Sequence, residues 1–282
     1  MRPRSDRKKS SPRSLSLTTP VRTTTTSTFP ISSSRTPPAP GTRADLVSTL
    51  WWQDRSGRVS LGFTSVEVGN LAHHVGDSSD AAVNRGTLES QLSLPQGSFR
   101  YLNQVHSANV IDASTADSIP TGDAWISTDG SHPLAIMVAD CLPVLFIARN
   151  GGGSQLTAAA HAGRPGLIGG VLQNTVAELL RHGGDSVTAW IGPGACGACY
   201  EVPQEMFDEL TDGRPALAST TRWGTPALDL RSEARAILES LDVTVVDIDG
   251  CTIEDPTLFS HRASQQSGAP EGRIAGLIWA DS

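Results

Sequence analysis

Two apolar runs that each stop at reactive side chains constrain this chain more than any other feature. Between Leu134 and Gly170 it reads LAIMVADCLPVLFIARNGGGSQLTAAAHAGRPGLIGG. Leu134 to Ala139 delivers Asp140 and Cys141, and Leu156 to Ala160 delivers His161 ahead of a glycine turn. Apolar runs of this length are strand candidates. Strand ends are where a rigid scaffold presents chemistry, so the expectation is a sheet-rich protein with its site at these ends.

The rest of the chain supplies the partners such strands need. LVSTLWW, VSLGFTS, the short Val110 to Ile111, DAWIST, VLFIA, VTAWIGPG, VTVVDI and RIAGLIWA have strand-like content. Leu167, Ile168, Val171, Leu172, Val176, Leu179 and Leu180 recur at helical spacing, and Gly183-Gly184 supplies a stop. A helix after Ser78-Ser79-Asp80 is predicted to bury Ala82, Val83, Leu88 and Leu92. Further helices carry Met206, Phe207 and Leu210, and then Ala234, Ile237, Leu238 and Leu241. About ten strands and four helices occur without a regular βαβ beat, which predicts mixed sheets with helices on their outer faces. No internal repeat is present.

Charge divides the chain unevenly. Residues 1–43 hold nine Lys or Arg against Asp6 alone, a net of +8, so the remainder carries -7 - 8 = -15. The Ser, Thr, Pro and Arg-rich segment 1–45 lacks the apolar content that folding needs and is predicted to be a disordered tail, with one folded domain over 46–282. An acidic body argues against nucleic-acid binding through backbone phosphates. No apolar run reaches the roughly 18–20 residues of a membrane span, and the N-terminus has no secretory apolar core, so the protein is read as cytoplasmic and free of the membrane. Four cysteines in such a chain are expected to be reduced.

His106, Cys141 and His161 are the first candidate site, because imidazole and thiolate are the ligands zinc prefers. They match no local zinc motif. A three-ligand set leaves a fourth position for water, the catalytic arrangement. The same residues also suit a nucleophile pair, with Cys141 attacking and His161 or His106 as base. Cys196-Gly-Ala-Cys199 has redox spacing without a thioredoxin-like context. The glycine turns AHAGRPG and GPGACG, with Gly163, Gly192 and Gly194, offer backbone N–H groups to an anion. Among Asp123, Asp129 and Asp140, only Asp140 adjoins a candidate ligand in sequence. Seven histidines with no H-x-H pair argue against a multicopper oxidase.

NQVHSANV, DAWIST, VADCLPVLF, AAAHAGRPG, IGPGACGACYEV, FSHRAS and GRIAGLIWA together resemble the YfiH-type, laccase-domain family, from about residue 60 to 280. The resemblance implies a single-domain α+β fold with two mixed sheets between helices (α/β/β/α), similar to cysteine-hydrolase-like proteins. It also implies zinc on His106, Cys141 and His161, with copper less well supported. Family members are described as purine nucleoside phosphorylases that also deaminate adenosine and cleave methylthioadenosine, despite an older polyphenol-oxidase name, and some relatives as peptidoglycan editing factors. In one departure, His161-Ala-Gly-Arg164-Pro165-Gly166 stands where the family usually has HAGWRG. In another, the family's paired cysteines before Tyr200 are reduced to Ala198-Cys199.

The expectation is therefore a monomeric zinc enzyme acting on purine nucleosides (adenosine, inosine, guanosine, methylthioadenosine) and phosphate. Asp140 and Cys141 are its candidate catalytic residues, and Asp140 its proton carrier. Gly163, Gly192, Gly194, Arg262 and Arg273 are the candidate substrate holders. A hydrolase with Cys141 as nucleophile, acting on a cell-wall precursor, and a non-catalytic zinc protein are the alternatives.

Overall fold

Side-chain alternation along the strands sets two sheets face to face in a computed structural model, which describes residues 50–116 and 118–281. The tail expected over residues 1–45 lies outside the described residues. Strands β1 (Leu50–Ser56) and β2 (Val59–Thr64) lead to helix α1 (Ser78–Gln91), then β3 (Val110–Asp112), β4 (Ala124–Ser127), β5 (Leu134–Val138), β6 (Leu142–Arg149) and β7 (Gln155–Ala162). Helices α2 (Arg164–Ile168) and α3 (Val171–Arg181) follow, then β8 (Ser186–Ile191), α4 (Gln204–Thr211), β9 (Ala218–Thr220) and β10 (Pro226–Leu228). Helix α5 (Leu230–Ser240), β11 (Thr244–Asp247), α6 (His261–Ser267) and β12 (Ile274–Ala280) complete the order.

One sheet has the order β1-β2-β12-β5 and is antiparallel throughout. The other is mixed, in the order β11-β8-β6-β7-β4-β3, with parallel pairs at its two edges. Strand β12 shows how they stack. Ile274 and Ile278 pack with Phe63, Ile136, Leu145 and Trp190 between the sheets, whereas Ala275, Leu277 and Trp279 pack with Leu88 of α1. Strand β6 sends Leu142, Val144 and Phe146 toward α3 and α5 and Leu145 and Ile147 into the inter-sheet core. Burial on both faces is why VLFIA is apolar without alternation. The layers are helix, sheet, sheet, helix, the single-domain α+β arrangement that the family resemblance implies, except that only the six-stranded sheet is mixed.

Helix α3 docks through Val171, Leu172, Val176 and Leu179, all buried, a gross gain of roughly 6–12 kcal/mol before the entropy of ordering. The single helix expected after His161 is instead two. Gly170 sits in the left-handed region at φ 96°, a conformation that ends one helix and that a side chain would oppose. Helix α1 also differs from expectation. Its buried side is Ala81, Leu88 and Glu89, while Val83 is 67% exposed. The Glu89 carboxylate takes the inward place because it accepts the backbone N–H groups of Gly97 at 2.7 Å and Phe99 at 3.0 Å. The short strands β9 and β10 and helix α6 carry too few periodic positions to be seen in the sequence. Among the described residues, no helix is long and apolar enough to cross a membrane.

Candidate metal centre

Strands β5 and β6 belong to different sheets, so Ala139, Asp140 and Cys141 carry the chain across the seam. That crossing bends the backbone sharply, and Asp140 has a φ of 84°, which a non-glycine residue holds only when its surroundings determine it. They do. The Asp140 carboxylate accepts hydrogen bonds from Thr252 Oγ1, Ser260 Oγ and the Arg262 backbone N–H, each at 2.7 Å. Its carbonyl accepts the Ala195 N–H at 2.8 Å. Cys141 is thus held in place by loops from beyond β8 and beyond β11.

His161 lies near the end of β7, opposite Pro143 of β6, and is buried. His106 is on the loop before β3, with a φ of 62°. Asp123, fully buried ahead of β4, ties the two together. Its Oδ1 accepts His161 Nδ1 at 2.8 Å and the His106 backbone N–H at 2.9 Å. Its Oδ2 accepts the Ser107 N–H at 2.5 Å, Ser107 Oγ at 2.7 Å and the Val105 N–H at 3.2 Å. Gln104 pins the same loop to β5, donating to the Met137 carbonyl at 2.7 Å and accepting its N–H at 2.9 Å.

Cys141 Sγ and His106 Nε2 lie 3.6 Å apart, and the two imidazole rings meet edge to face at 4.7 Å. One ligand atom from each of the three residues falls within 4.8 Å of the others. Burial pushes the Cys141 thiol up, but His161 and the hydrogen bond from His106 outweigh it and hold the thiol down at about 6. Burial likewise lowers His161, and the Cys141 and Asp123 charges reverse that, raising it to about 9. Asp123 is raised by burial and lowered further by His161 and Ser107, to about 2.

This set fits a transition metal on the chemistry of its donors. With Nδ1 committed to Asp123, His161 offers Nε2, and a carboxylate behind a ligating histidine is the usual support for a zinc site. His106 Nε2 and the acidic thiol of Cys141 complete a three-ligand arrangement. Gly163 closes the space behind them. A Cβ there would lie 2.4 Å from His106 Cδ2 and 2.9 Å from Cys141 Sγ. In front, a cavity of about 380 Å³ is lined by all three residues, and also by His74, His261 and Arg273.

The other predicted residues are placed unevenly. Arg273 reaches the cavity. The Arg262 guanidinium lies over the Tyr200 ring at 5.4 Å and donates to the Glu201 carbonyl at 3.1 Å. Arg164 contacts the Met206 sulfur of α4. The Gly192 and Gly194 N–H groups donate to the carbonyls of Pro143 at 2.9 Å and Gly250 at 3.3 Å, so both are already engaged within the protein. Asp129 instead caps its own turn, accepting from Ser131. Asp123 was the acid that sequence adjacency could not single out, since its contact with His161 depends on the pairing of β4 with β7.

A family model described as multi-copper polyphenol oxidoreductase laccase matches residues 49–281. A purine nucleoside phosphorylase of Streptomyces coelicolor is 39% identical over 235 residues, covering 81% of this chain and 93% of that protein. One of Mycobacterium bovis is 38% identical over 216 residues, covering 74% of this chain and 84% of its own. The crystal structure of a Neisseria meningitidis protein assigned to DUF152 superposes with a TM-score of 0.69 at 33% identity, over 83% of this chain and all of that one. A Bacillus licheniformis hypothetical protein, YfiH, shares the fold with a TM-score of 0.68 at 23% identity, over 79% of this chain and 93% of that one.

Proposed function

The chain belongs to this laccase-domain family, and from that membership we propose that it is a zinc-dependent purine nucleoside phosphorylase that also deaminates adenosine. The observation that carries the reading is the meeting of His106, Cys141 and His161 on the wall of a cavity that also presents Arg273. Relatives named purine nucleoside phosphorylase supply the substrate class. Zinc bound to Cys141 Sγ and the two Nε2 atoms would supply a Lewis acid at the cavity wall.

The protein's own groups divide the remaining work. Leu102, Met137 and Val138 give an apolar surface for a purine ring, and the volume lies within the about 300–1,000 Å³ range of small-molecule sites. The Arg273 guanidinium lines the cavity and donates to the Gly272 carbonyl at 2.8 Å; in this reading it would hold phosphate as a phosphate oxygen attacks the ribose carbon and the purine departs. His74 is kept toward its neutral form by burial and by the charges of Arg273 and Arg85. Asp140, with its carboxylate taken up by three donors, serves by fixing the backbone that presents Cys141. The polyphenol chemistry in the family description asks for several copper sites, which seven histidines without an H-x-H pair do not supply.

A second reading has one specific observation in its favour. Asp123, His161 and Cys141 stand in the order of an acid, base and nucleophile, and the thiol is acidic. This would make the protein a cysteine hydrolase, with the peptidoglycan-precursor role described for some relatives as one form of it.

One set of assays separates the two. Metal-free and zinc-loaded protein are incubated with adenosine, inosine, guanosine or methylthioadenosine, with and without phosphate, and free base, ribose 1-phosphate and inosine are measured. Phosphate-dependent release of base that requires zinc supports the phosphorylase. Zinc-loaded protein that releases no base from any of the four overturns it. Full turnover by the metal-free protein, abolished by alkylating Cys141, installs the nucleophile reading instead.

A further inference from the structure

Three of the four cysteines lie outside the centre just described, and the fold gathers them. Cys196, Cys199 and Cys251 converge with Glu254, one ligand atom from each falling within 4.8 Å of the others. We propose that these four residues form a second, structural zinc site, which joins the loop after β8 to the turn after β11.

The local sequence is that of two metal knuckles. Cys196-Gly-Ala-Cys199 and Cys251-Thr-Ile-Glu254 each place two ligand-type residues at x2 spacing, the short spacing of structural zinc sites. Both segments turn alike. The Cys196 carbonyl accepts the N–H groups of Cys199 and Tyr200, each at 2.9 Å. The Cys251 carbonyl accepts those of Glu254 at 3.1 Å and Asp255 at 2.9 Å. Such turns bring residues three apart onto one side. The Cys196 backbone N–H also approaches Cys251 Sγ at 3.5 Å, an N–H to sulfur contact that supports a thiolate.

Geometry and charge agree with zinc. Four ligands about 2.3 Å from a tetrahedral ion stand roughly 3.8 Å apart, and Cys196 Sγ lies 3.8 Å from the Glu254 carboxylate. Three thiolates and a carboxylate around a divalent ion leave a net charge of -2. The Arg222 guanidinium offsets part of it, reaching Cys199 Sγ at 3.0 Å and pairing with Glu254. Cys199 is buried while Glu254 is exposed, so sulfur forms the inner side and the carboxylate the side through which an ion enters.

The site shares no residue with the His106, Cys141 and His161 centre, yet it is tied to it. Gly194 and Cys251 form a parallel bridge, and Thr252, next to Cys251, donates to Asp140 at 2.7 Å. A metal here holds together the loops whose contacts fix the crossing at Asp140 and Cys141. It would do for these loops what a disulfide does in an oxidising compartment, without oxidising the thiols.

Zinc per chain, measured on the full-length protein under reducing conditions, tests the site without reference to any activity. The wild type is expected to hold two equivalents and His106→Ala one. Cys196→Ser and Cys251→Ser are each expected to hold one. Cobalt replaces zinc as a second readout, because sulfur-to-metal charge-transfer absorption follows the thiolate count. With three of the four thiolates removed from coordination, the Cys251→Ser absorption falls to about a quarter of the wild-type value. Should the serine variants fail to fold, the wild type still decides. Added zinc must slow alkylation of Cys196 and Cys251 at least tenfold relative to the chelated protein. Unchanged zinc in both serine variants, unprotected Cys196 and Cys251 thiols, or a disulfide among the three cysteines in the reduced protein overturns the proposal, whereas a single wild-type equivalent that is lost in both serine variants supports this site and counts against the His106, Cys141 and His161 centre instead.

Discussion

Asp123 holds His161 by its ring and His106 by its backbone, and does both through one carboxylate oxygen, at 2.8 and 2.9 Å. A single buried side chain therefore sets the orientation of one candidate ligand and the loop position of another. Its folded value of about 2 lies below the ordinary carboxylate range. The stabilisation is thus complete above about pH 4 and is lost as pH falls through about 2.

Asp123→Asn keeps the shape but removes the charge and presents an amide to some of the five donors. Metal affinity is expected to fall roughly 10–100-fold, the usual effect of losing an outer partner of a ligating histidine. Competition with a calibrated chelator measures this. Unchanged affinity would show that Asp123 serves folding alone.

Gly163 makes a different demand, for space. An added Cβ would meet His106 Cδ2 at 2.4 Å and Cys141 Sγ at 2.9 Å, far inside contact distance, so the His106 ring must move. His106 is exposed, so its ring can turn aside while the backbone stays pinned, which limits the loss of stability. Gly163→Ala is therefore expected to lower turnover about 100-fold, the scale of an ångström's misplacement at a reacting centre. Its melting temperature should shift by only a few degrees. A larger thermal shift with retained specific activity of the folded fraction would contradict this.

These two residues show what the sequence disclosed and what it hid. The runs ending at Cys141 and His161 were legible because strands buried on both faces are apolar throughout, and the reactive residues interrupt them. Asp123 was not, because it meets His161 only through the antiparallel pairing of Ala124 with Ala160, and nothing in a single sequence states which strands pair. The clustering of Cys251 with Cys196 and Cys199 was hidden for the same reason, since β8 and β11 become parallel neighbours only in the folded sheet. In α1, the expected burial of Val83 gave way to Glu89, whose partners lie on the loop beyond the helix. Residue type and periodicity report an element's faces, while long-range pairing decides which polar groups are satisfied inside.

In metal-free protein, Cys141 should react as a thiolate at unusually low pH. Burial opposes ionisation, and His161 with His106 prevails, leaving a value of about 6. The iodoacetamide alkylation rate at Cys141, followed by peptide mass, should rise with a midpoint near that pH. In His161→Ala the midpoint moves upward, because the largest favourable contribution is gone and burial remains. A midpoint near the ordinary thiol range in the unsubstituted protein would show that the two histidines do not stabilise the anion.

Gly192 distinguishes a packing requirement from an anion cradle. Its N–H is taken by the Pro143 carbonyl at 2.9 Å, and a Cβ would stand 2.3 Å from the Phe63 ring. Phe63 is fully buried between the sheets, so the ring cannot swing aside without disturbing Ile136 and Trp190 in the same cluster. Gly192→Ala is therefore expected to destabilise the fold by roughly 1–3 kcal/mol, the cost of overpacking a tight core. Denaturant unfolding measures that loss, and phosphate kinetics of the folded protein supply the contrast. If the glycine matters for packing alone, KM for phosphate stays within about twofold of the unsubstituted value. A tenfold rise in that KM with unchanged unfolding would instead return Gly192 to the phosphate site, since 1.4 kcal/mol of lost binding corresponds to about that factor.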